Sequence, residues 1–432
     1  MMNPAFLEII AATDPERRDL FVATATRLGT TVQNIEKDFW VCWTLDAMFN
    51  GLNPDGPRFL FKGGTSLSKG YGLISRFSED IDITVFRSDL GEPVSLEALT
   101  AMSGKKRAAR LAAIKTACRT YIHDRLLGEL TAIAADAMKR AGKSADAIRI
   151  EIDEGDPDGQ SLLVWYPSVT TDIAGAYVSP AVKIESGAKS ALDPHSPVLV
   201  TPYIADDLPA TIDLSVPNVT TVDPARTFWD KIVILHGSRR WYDRRGELRG
   251  GGKRVSRHYY DVYRLLGSRV GRLAIGDMQM AADCADHARL FFNRPDFDLE
   301  TAMPGTFTLA PHDGMIGDLR RDYAAMSTMI FGALPAFEDV MASIAHLEFI
   351  VNNPRSADQN GAVRAGPVDA VRPYQRWRGA DPLTGDSDAI ATVYNVLGDQ
   401  VEVAFEISGA GRTASATRMI AGNDGWRFVS EL

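Results

Sequence analysis

Cysteine is scarce in this chain: Cys42, Cys118 and Cys284 are the three present in 432 residues. Scattered and odd in number, they form neither a disulfide framework nor a thiolate metal site, and they read as passive core or surface residues. Long apolar runs are missing as well, since no stretch reaches the ~18 residues that a membrane span requires. The opening MMNPAFLEIIAATDPERR has a short apolar patch but no basic flank and no small-residue cleavage site, so a cytoplasmic location without a membrane is expected. Positive charge is not in excess either. A formal net charge of -9 excludes a protein that coats nucleic acid throughout, while leaving room for a local basic footprint. No solenoid repeat and no Gly-x-x-x-x-Gly-Lys-Ser/Thr phosphate loop occur.

What is there reads as a folded protein, 45% hydrophobic and 24% charged, and long enough for two or three domains. Asp14-Pro15 looks like an N-cap and first helical position for a helix running to Gly29. A second helix spans roughly Gln33 to Phe49, with Ile35, Phe39, Trp43 and Ala47 at four-residue steps. The period then changes. Phe59 to Phe61 is a short apolar strand meeting Gly63-Gly64, and Asp80-Ile81-Asp82-Ile83-Thr84-Val85 alternates as a strand with Asp80, Asp82 and Thr84 on one side. A long helix is expected from Gly104 to Lys143, followed by strands at Ser161 to Tyr166 and Ala181 to Glu185. A proline-rich loop then leads to a strand near Thr211 to Val216. Asp223-Pro224 opens a helical region, PARTFWDKIVILH, interrupted by a basic, glycine-rich loop from Arg239 to Arg254 and resumed by RHYYDVYRLL as far as about Val351. Residues 352–366 read as a linker. Beyond it, β-like runs are expected near Ala389 to Val396, Val401 to Ile407, Thr413 to Ile420 and Trp426 to Val429.

Asp80 and Asp82 carry the chemistry. Transfer at phosphorus needs compensation for triphosphate charge, and carboxylates on one rigid edge can hold the metal ions that bridge attacking and leaving oxygens. An isolated Asp-x-Asp is more often a solvated strand face. Here it follows Gly63-Gly64-Thr65-Ser66 at a strand-to-helix turn, where bare backbone amides can receive phosphate oxygens. Lys231 sits among Phe228, Trp229, Ile232, Val233 and Ile234, so its ammonium needs a partner, either a bound phosphate or a carboxylate such as Asp261 in a purely structural ion pair. Arg76 and Arg257 flank the motifs as triphosphate candidates. His258 could serve as an acid or base, though beside two tyrosines it reads first as a packing residue. Between Arg239 and His258 eight basic residues face two acids, a net +6, which suits either RNA phosphates or plain solvation.

The stretch FKGGTSLSKGYGLISRFSEDIDITV resembles the AbiEii/AbiGii toxin family of the DNA polymerase beta-like nucleotidyltransferase superfamily. IEKDFW, AVKIESGAKS, PARTFWDKIVILH and RHYYDVYRLL resemble further family blocks in the family's order, over about Glu36 to Leu266 and more loosely to Ile350. The resemblance implies an α+β fold: a nucleotidyltransferase core with a mixed sheet over 1–220, a helical domain closing the cleft over 221–351, the linker, and a small β-rich appendage of unknown role at 367–432. It also implies that Gly63, Gly64 and Thr65 form the phosphate-binding turn with Ser66 beside them, and that Asp80 and Asp82 bind magnesium or manganese. Glu185 is the third metal carboxylate, with Asp213 competing for that role, and Lys231 and Asp261 match the motifs of the helical part. The substrate would be a nucleoside triphosphate and the acceptor an RNA, with tRNA favoured. The biological setting would be a toxin–antitoxin or phage-defence system with a cognate antitoxin protein as partner. Protein side chains as acceptors, or a non-catalytic nucleotide-binding module, are the alternatives. The long basic loop and the β appendage depart from the family pattern.

Overall fold

The computed structural model describes residues 2–170 and 179–353 and, beyond them, the backbone of five strands between 375 and 431. Chain contacts divide it into two compact units, Met1–Glu348 and Phe349–Leu432.

The first unit is built on a seven-stranded mixed sheet. Its strands are β1 (Phe59–Lys62), β2 (Asp80–Val85), β3 (Arg149–Ile152), β4 (Ser161–Trp165), β5 (Ala181–Glu185), β6 (His195–Val200) and β7 (Val216–Val222), ordered β3-β4-β5-β2-β1-β7-β6. The β1–β2 pair is antiparallel, whereas β2–β5 and β1–β7 are parallel. On β2 the side chains of Ile81, Ile83 and Val85 are fully buried, and Asp80 and Asp82 keep partial access to solvent. The expected alternation is therefore present, with Thr84 buried on the acidic side.

Helices pack on this sheet for reasons visible in their ends. Thr13, rather than Asp14, caps the helix Asp14–Leu28, through a reciprocal capping box with Glu16. The helix Val32–Asp46 is buried nearly all round, with Phe39, Trp40 and Trp43 in the core. The expected long helix runs as Gly104–Tyr121, a π-helical turn Ile122–Leu126, and Leu127–Arg140. All three cysteines are buried and free.

Three expectations need correction. The strand expected near Thr211 to Val216 starts at Val216 instead, because Asp213 folds back to accept the N–H of Ser215 at 2.8 Å and turns the chain. The proline-rich segment before it contains β6, and Pro197 is tolerated there because β6 is the sheet's edge. The strand β3 carries no turn signal strong enough to mark it in the sequence. The basic stretch is not a loop from Arg239. The helix Pro224–Arg245, capped by Asp223 Oδ1 on the Ala225 N–H, runs through it to Gly246, whose φ of 68° ends it.

The second unit contains an antiparallel five-stranded sheet of Gln375–Gly379, Ala389–Leu397, Gln400–Ile407, Ala414–Ala421 and Arg427–Glu431. Four of these overlap the expected β runs. Residues 354–366 of the linker, and Thr413 and Trp426, lie outside the described residues.

Candidate active site

The centre of the sheet sets the site. Register pairs Lys62 with Asp82 across β1–β2, and Asp82 with Glu185 across β2–β5, so these three side chains form a row on one face. Asp80 pairs with Lys183 in the next row. Lys62 Nζ lies 3.7 Å from Asp82, and Lys183 Nζ lies 3.0 Å from both Glu185 and Asp153.

Gly63 follows β1 with φ of 78°, and a Cβ at that position would overlap Asp82 Oδ2. A Cβ on Gly64 would likewise overlap Arg76 Nη2. Both glycines therefore serve close approach, which brings the turn against the metal-type carboxylate on one side and a guanidinium on the other. Thr65 and Ser66 are fully buried and turned inward: Thr65 Oγ1 lies 2.8 Å from Ser78 Oγ and donates to the Asp80 carbonyl, and Ser66 Oγ donates to the Gly63 carbonyl at 2.9 Å. Their hydroxyls fix the turn to β2, leaving the backbone of the glycines and the neighbouring Ser78 to face the cleft.

That cleft, of about 460 Å³, is lined by Gly63, Gly64, Arg76, Asp80, Asp82, Glu185, Lys231 and Arg257 among others. Eight of the sequence-derived site residues thus meet in one cavity between the sheet and the helices Pro224–Arg245 and Ser256–Leu266. Asp261 stands behind it. Fully buried, Asp261 accepts two hydrogen bonds from Arg76, at 2.7 and 2.9 Å, and an ion pair from Lys231 at 2.8 Å. Burial alone would raise its pKa, but Arg76 and Lys231 together pull it well below the usual range. Burial pushes the Lys231 pKa down, against the pull of Asp261. Asp213 is exposed, bonded to Ser215, and not among the residues lining the cleft. His258 does line it, with its pKa driven well below 6.5 by burial and by Lys231 and Arg257, so its ring is neutral at ordinary pH.

The carboxylate side crowds acids at a half-buried edge, each with a cation nearby. Burial pushes Asp80 up to about 6, and Glu79 and Glu185 add to the rise while Arg254 opposes it. A carboxyl that holds its proton because burial, and then neighbouring acids, disfavour its charge is also one that a divalent cation would relieve. Among the described residues no three carboxylate, histidine or cysteine groups converge as a ready-made cage. Magnesium does not need one, since it is commonly held by one or two carboxylates with waters and substrate phosphates completing six positions. The residues present fit such an ion, with Asp80 and Asp82 as its protein ligands and Glu185, 41% exposed in the same row, beside them.

Several contributors carry no sequence signal of their own. Lys37 of the IEKDFW block pairs with Glu79 at 2.9 Å, and Asp38 of the same block holds Lys69 at 2.7 Å and accepts the Tyr203 N–H. These buried pairs anchor both flanks of the turn and β2. Arg254, with φ of 62°, reaches Glu79 and lies 3.5 Å from Asp80. The basic stretch is largely spent on local acids: Arg239 and Arg240 on Asp243, Arg244 on Asp298, and Arg245 on Asp296. It is therefore not a free cationic loop. A second depression, of about 690 Å³, shares Asp80 with the cleft and is lined by Lys37, Lys183, Lys253, Arg254 and Arg321 together with Glu79, Asp318 and Asp322.

The family described as nucleotidyl transferase AbiEii toxin, type IV toxin–antitoxin system, matches residues 46–343. Among solved structures the chain is similar to MenT4, a nucleotidyltransferase toxin from Mycobacterium tuberculosis H37Rv, at 16% identity and a TM-score of 0.35, covering 78% of this chain and 99% of that one. No curated protein matches the sequence. Among the described residues no helix is long and apolar enough to cross a membrane.

Proposed function

The chain belongs to the nucleotidyl transferase AbiEii toxin family of type IV toxin–antitoxin systems, a family of nucleoside-triphosphate-using enzymes with cognate antitoxins, and on that premise we propose how it works and on what. It moves a nucleoside monophosphate from a nucleoside triphosphate to the terminal hydroxyl of an RNA, with tRNA the favoured acceptor and defence against phage the setting. Residues 1–220 act as the nucleotidyltransferase core and 221–351 as the helical domain that closes the cleft, while 367–432 is an appendage joined through the linker 352–366.

Asp80 and Asp82 hold magnesium, or manganese, with Glu185 beside them. The ion, when bound, neutralises charge on the phosphates and polarises the α-phosphorus. The glycine turn Gly63 to Ser66 presents backbone to the triphosphate, and Arg76, Lys231 and Arg257 neutralise its outer oxygens. Asp261 positions Arg76 and Lys231 from behind. The acceptor oxygen bonds to the α-phosphorus, the bond to the bridging oxygen of the β-phosphate breaks, and pyrophosphate leaves with that electron pair. Glu185, the more open carboxylate, takes the hydroxyl proton. The second depression, which shares Asp80 with the cleft, gives the acceptor a route to that carboxylate.

One observation carries this reading: Asp80 and Asp82 project from one strand into the cavity that the glycine turn lines. Incubation of the purified protein with each labelled triphosphate, magnesium and total RNA tests it. Label on RNA is expected. Label on protein would establish side-chain nucleotidylation instead, and binding without transfer would make the chain a nucleotide-binding module.

A further inference from the structure

The cleft has two chemically different ends. The charged groups described above occupy the sheet end, and Lys231 stands near the start of the helix Pro224–Arg245. Further along the same helix, Ile234 and Trp241 also line the cavity. Ten residues separate Lys231 from Trp241, so the helix carries the lining roughly 15 Å away from the phosphate-type groups. Phe292 and Phe297 complete this end, with the Trp241 and Phe297 rings 5.8 Å apart and inclined by 53°. Ile234 and Phe292, both lining the cleft, are each 43% exposed. Apolar surface left open inside a cavity, facing rings, is suited to a flat apolar body.

Two polar atoms at this end have nothing to bond. Trp241 Nε1 and His287 Nε2 are buried and find no hydrogen-bond partner among the described residues, although both residues line the cavity. His287 is 5% exposed and stacks on Phe291 at 4.4 Å. Leaving such groups unsatisfied costs free energy, so they point to a ligand with polar atoms on its rim. Burial pushes the His287 pKa down to about 3, which keeps the ring neutral, and a hydrogen bond to the Lys189 backbone holds its other nitrogen. With that nitrogen donating, Nε2 accepts, while the indole N–H of Trp241 donates only.

We propose that this apolar end is the nucleobase pocket, that Phe292, Phe297 and Ile234 hold the base by its faces, and that Trp241 and His287 read its edge. It rests on the reading of the cleft as a triphosphate site. A planar ring carrying an acceptor towards the indole and a donor towards the imidazole satisfies both orphaned atoms at once. Inorganic triphosphate, which lacks a base, meets only the other end.

The test is equilibrium binding of the four ribonucleoside triphosphates and of inorganic tripolyphosphate, with magnesium, to the full chain and to three variants. Phe292→Ala removes an exposed ring and is safe for folding. It should weaken every nucleoside triphosphate by roughly 5- to 100-fold, the range of one lost base–aromatic contact, and leave tripolyphosphate within about twofold by the same measure. Trp241→Phe and His287→Gln keep most of the shape and should change the order of preference among the four bases. Thermal melting of each variant confirms folding. Equal weakening of tripolyphosphate and nucleotides, or an unchanged base preference in both edge variants, overturns the pocket. If the parent protein binds tripolyphosphate as tightly as any nucleotide, the base pocket fails and the triphosphate site stands. If it binds neither, both fail together.

Discussion

Replacing Asp80 by asparagine should make the metal-free protein more stable while abolishing transfer. Asp80 is raised from 3.8 to about 6, first by burial and then by Glu79 and Glu185. A difference of that size between folded and unfolded chains is worth about 3 kcal/mol against the folded state once the group is ionised. The amide removes that cost at nearly constant shape. The contact with Arg254, at 3.5 Å, is already contained in that raised value, so its loss takes nothing further away. The net gain is about 3 kcal/mol, which for a unit of this size raises the melting temperature by roughly 4 °C. The sign with pH follows from the raised value. Above about pH 6 the parent carboxyl is charged when folded and the full gain is present, and as pH falls from about 6 towards 3.8 the parent protonates and the gain disappears. Calorimetry in chelator across that window measures the stability, and pyrophosphate release with magnesium measures the activity. A variant that is less stable at pH 7.5, or whose gain does not change with pH, would refute the argument that burial and neighbouring acids make this charge costly.

Gly63→Ala should lose transfer on the order of a hundredfold and at least about 1 kcal/mol of stability, since its φ of 78° and the overlap with Asp82 Oδ2 both oppose a side chain. Pyrophosphate release and urea unfolding check this. Asp261→Asn leaves Arg76 and Lys231 buried against an amide and should cost about 3–5 kcal/mol in urea unfolding. Lys231→Met leaves Asp261 both of its Arg76 bonds, so it should cost less than the roughly 3–5 kcal/mol of an uncompensated buried charge and instead raise KM for the triphosphate. Loss of stability with unchanged KM would make Lys231 structural. Arg254→Ala withdraws a cation from Glu79 and Asp80 and should tighten magnesium binding by roughly two- to fivefold in calorimetric titration. Weaker binding would show that Arg254 supports the ion.

Much of the site could be read from local pattern. Period two put Asp80 and Asp82 on one side of a strand, and Gly63-Gly64 marked a turn beside them. What local pattern cannot supply is the pairing of charges far apart in the chain. Lys37 and Glu79, 42 residues apart, each read alone as an ordinary surface charge, and although Arg76 and Asp261 stood out as candidates, nothing local paired them across 185 residues. The basic stretch misled for the same reason, because the acids that consume its arginines, Asp296 and Asp298, lie some 50 residues further on. Thr65 and Ser66 looked like phosphate ligands by position in the turn, yet their hydroxyls are taken by Asp80, Ser78 and Gly63. Pro197 hid a strand because sequence does not show which strand will be the edge.

The two sides of the phosphate end differ in charge, with cations in excess on one and crowded, partly buried acids on the other, and this has a consequence for how ligands enter. Asp261 is one negative charge shared by Arg76 and Lys231, so that buried trio is left with one net positive charge, to which Arg257 adds another. Across the cleft, Asp80, Asp82, Glu79 and Glu185 each meet a cation, yet burial and the neighbouring acids still hold Asp80 above its ordinary value. A buried surplus of either sign is costly alone. A divalent ion presented alone meets the acids but leaves the trio uncompensated, and a triphosphate presented alone meets the trio but brings its charge against Asp80 and Asp82. Presented together, each removes the obstacle to the other. Triphosphate should therefore bind more tightly with magnesium than in chelator, and magnesium should bind more tightly with a non-hydrolysable triphosphate than without, by the same factor, since coupling of this kind is reciprocal. The Asp80→Asn variant, with one negative charge fewer, should show a smaller factor because the bare triphosphate gains affinity in it. Equal factors in parent and variant would mean that the acids and the cations of this cleft do not act on the same ligand.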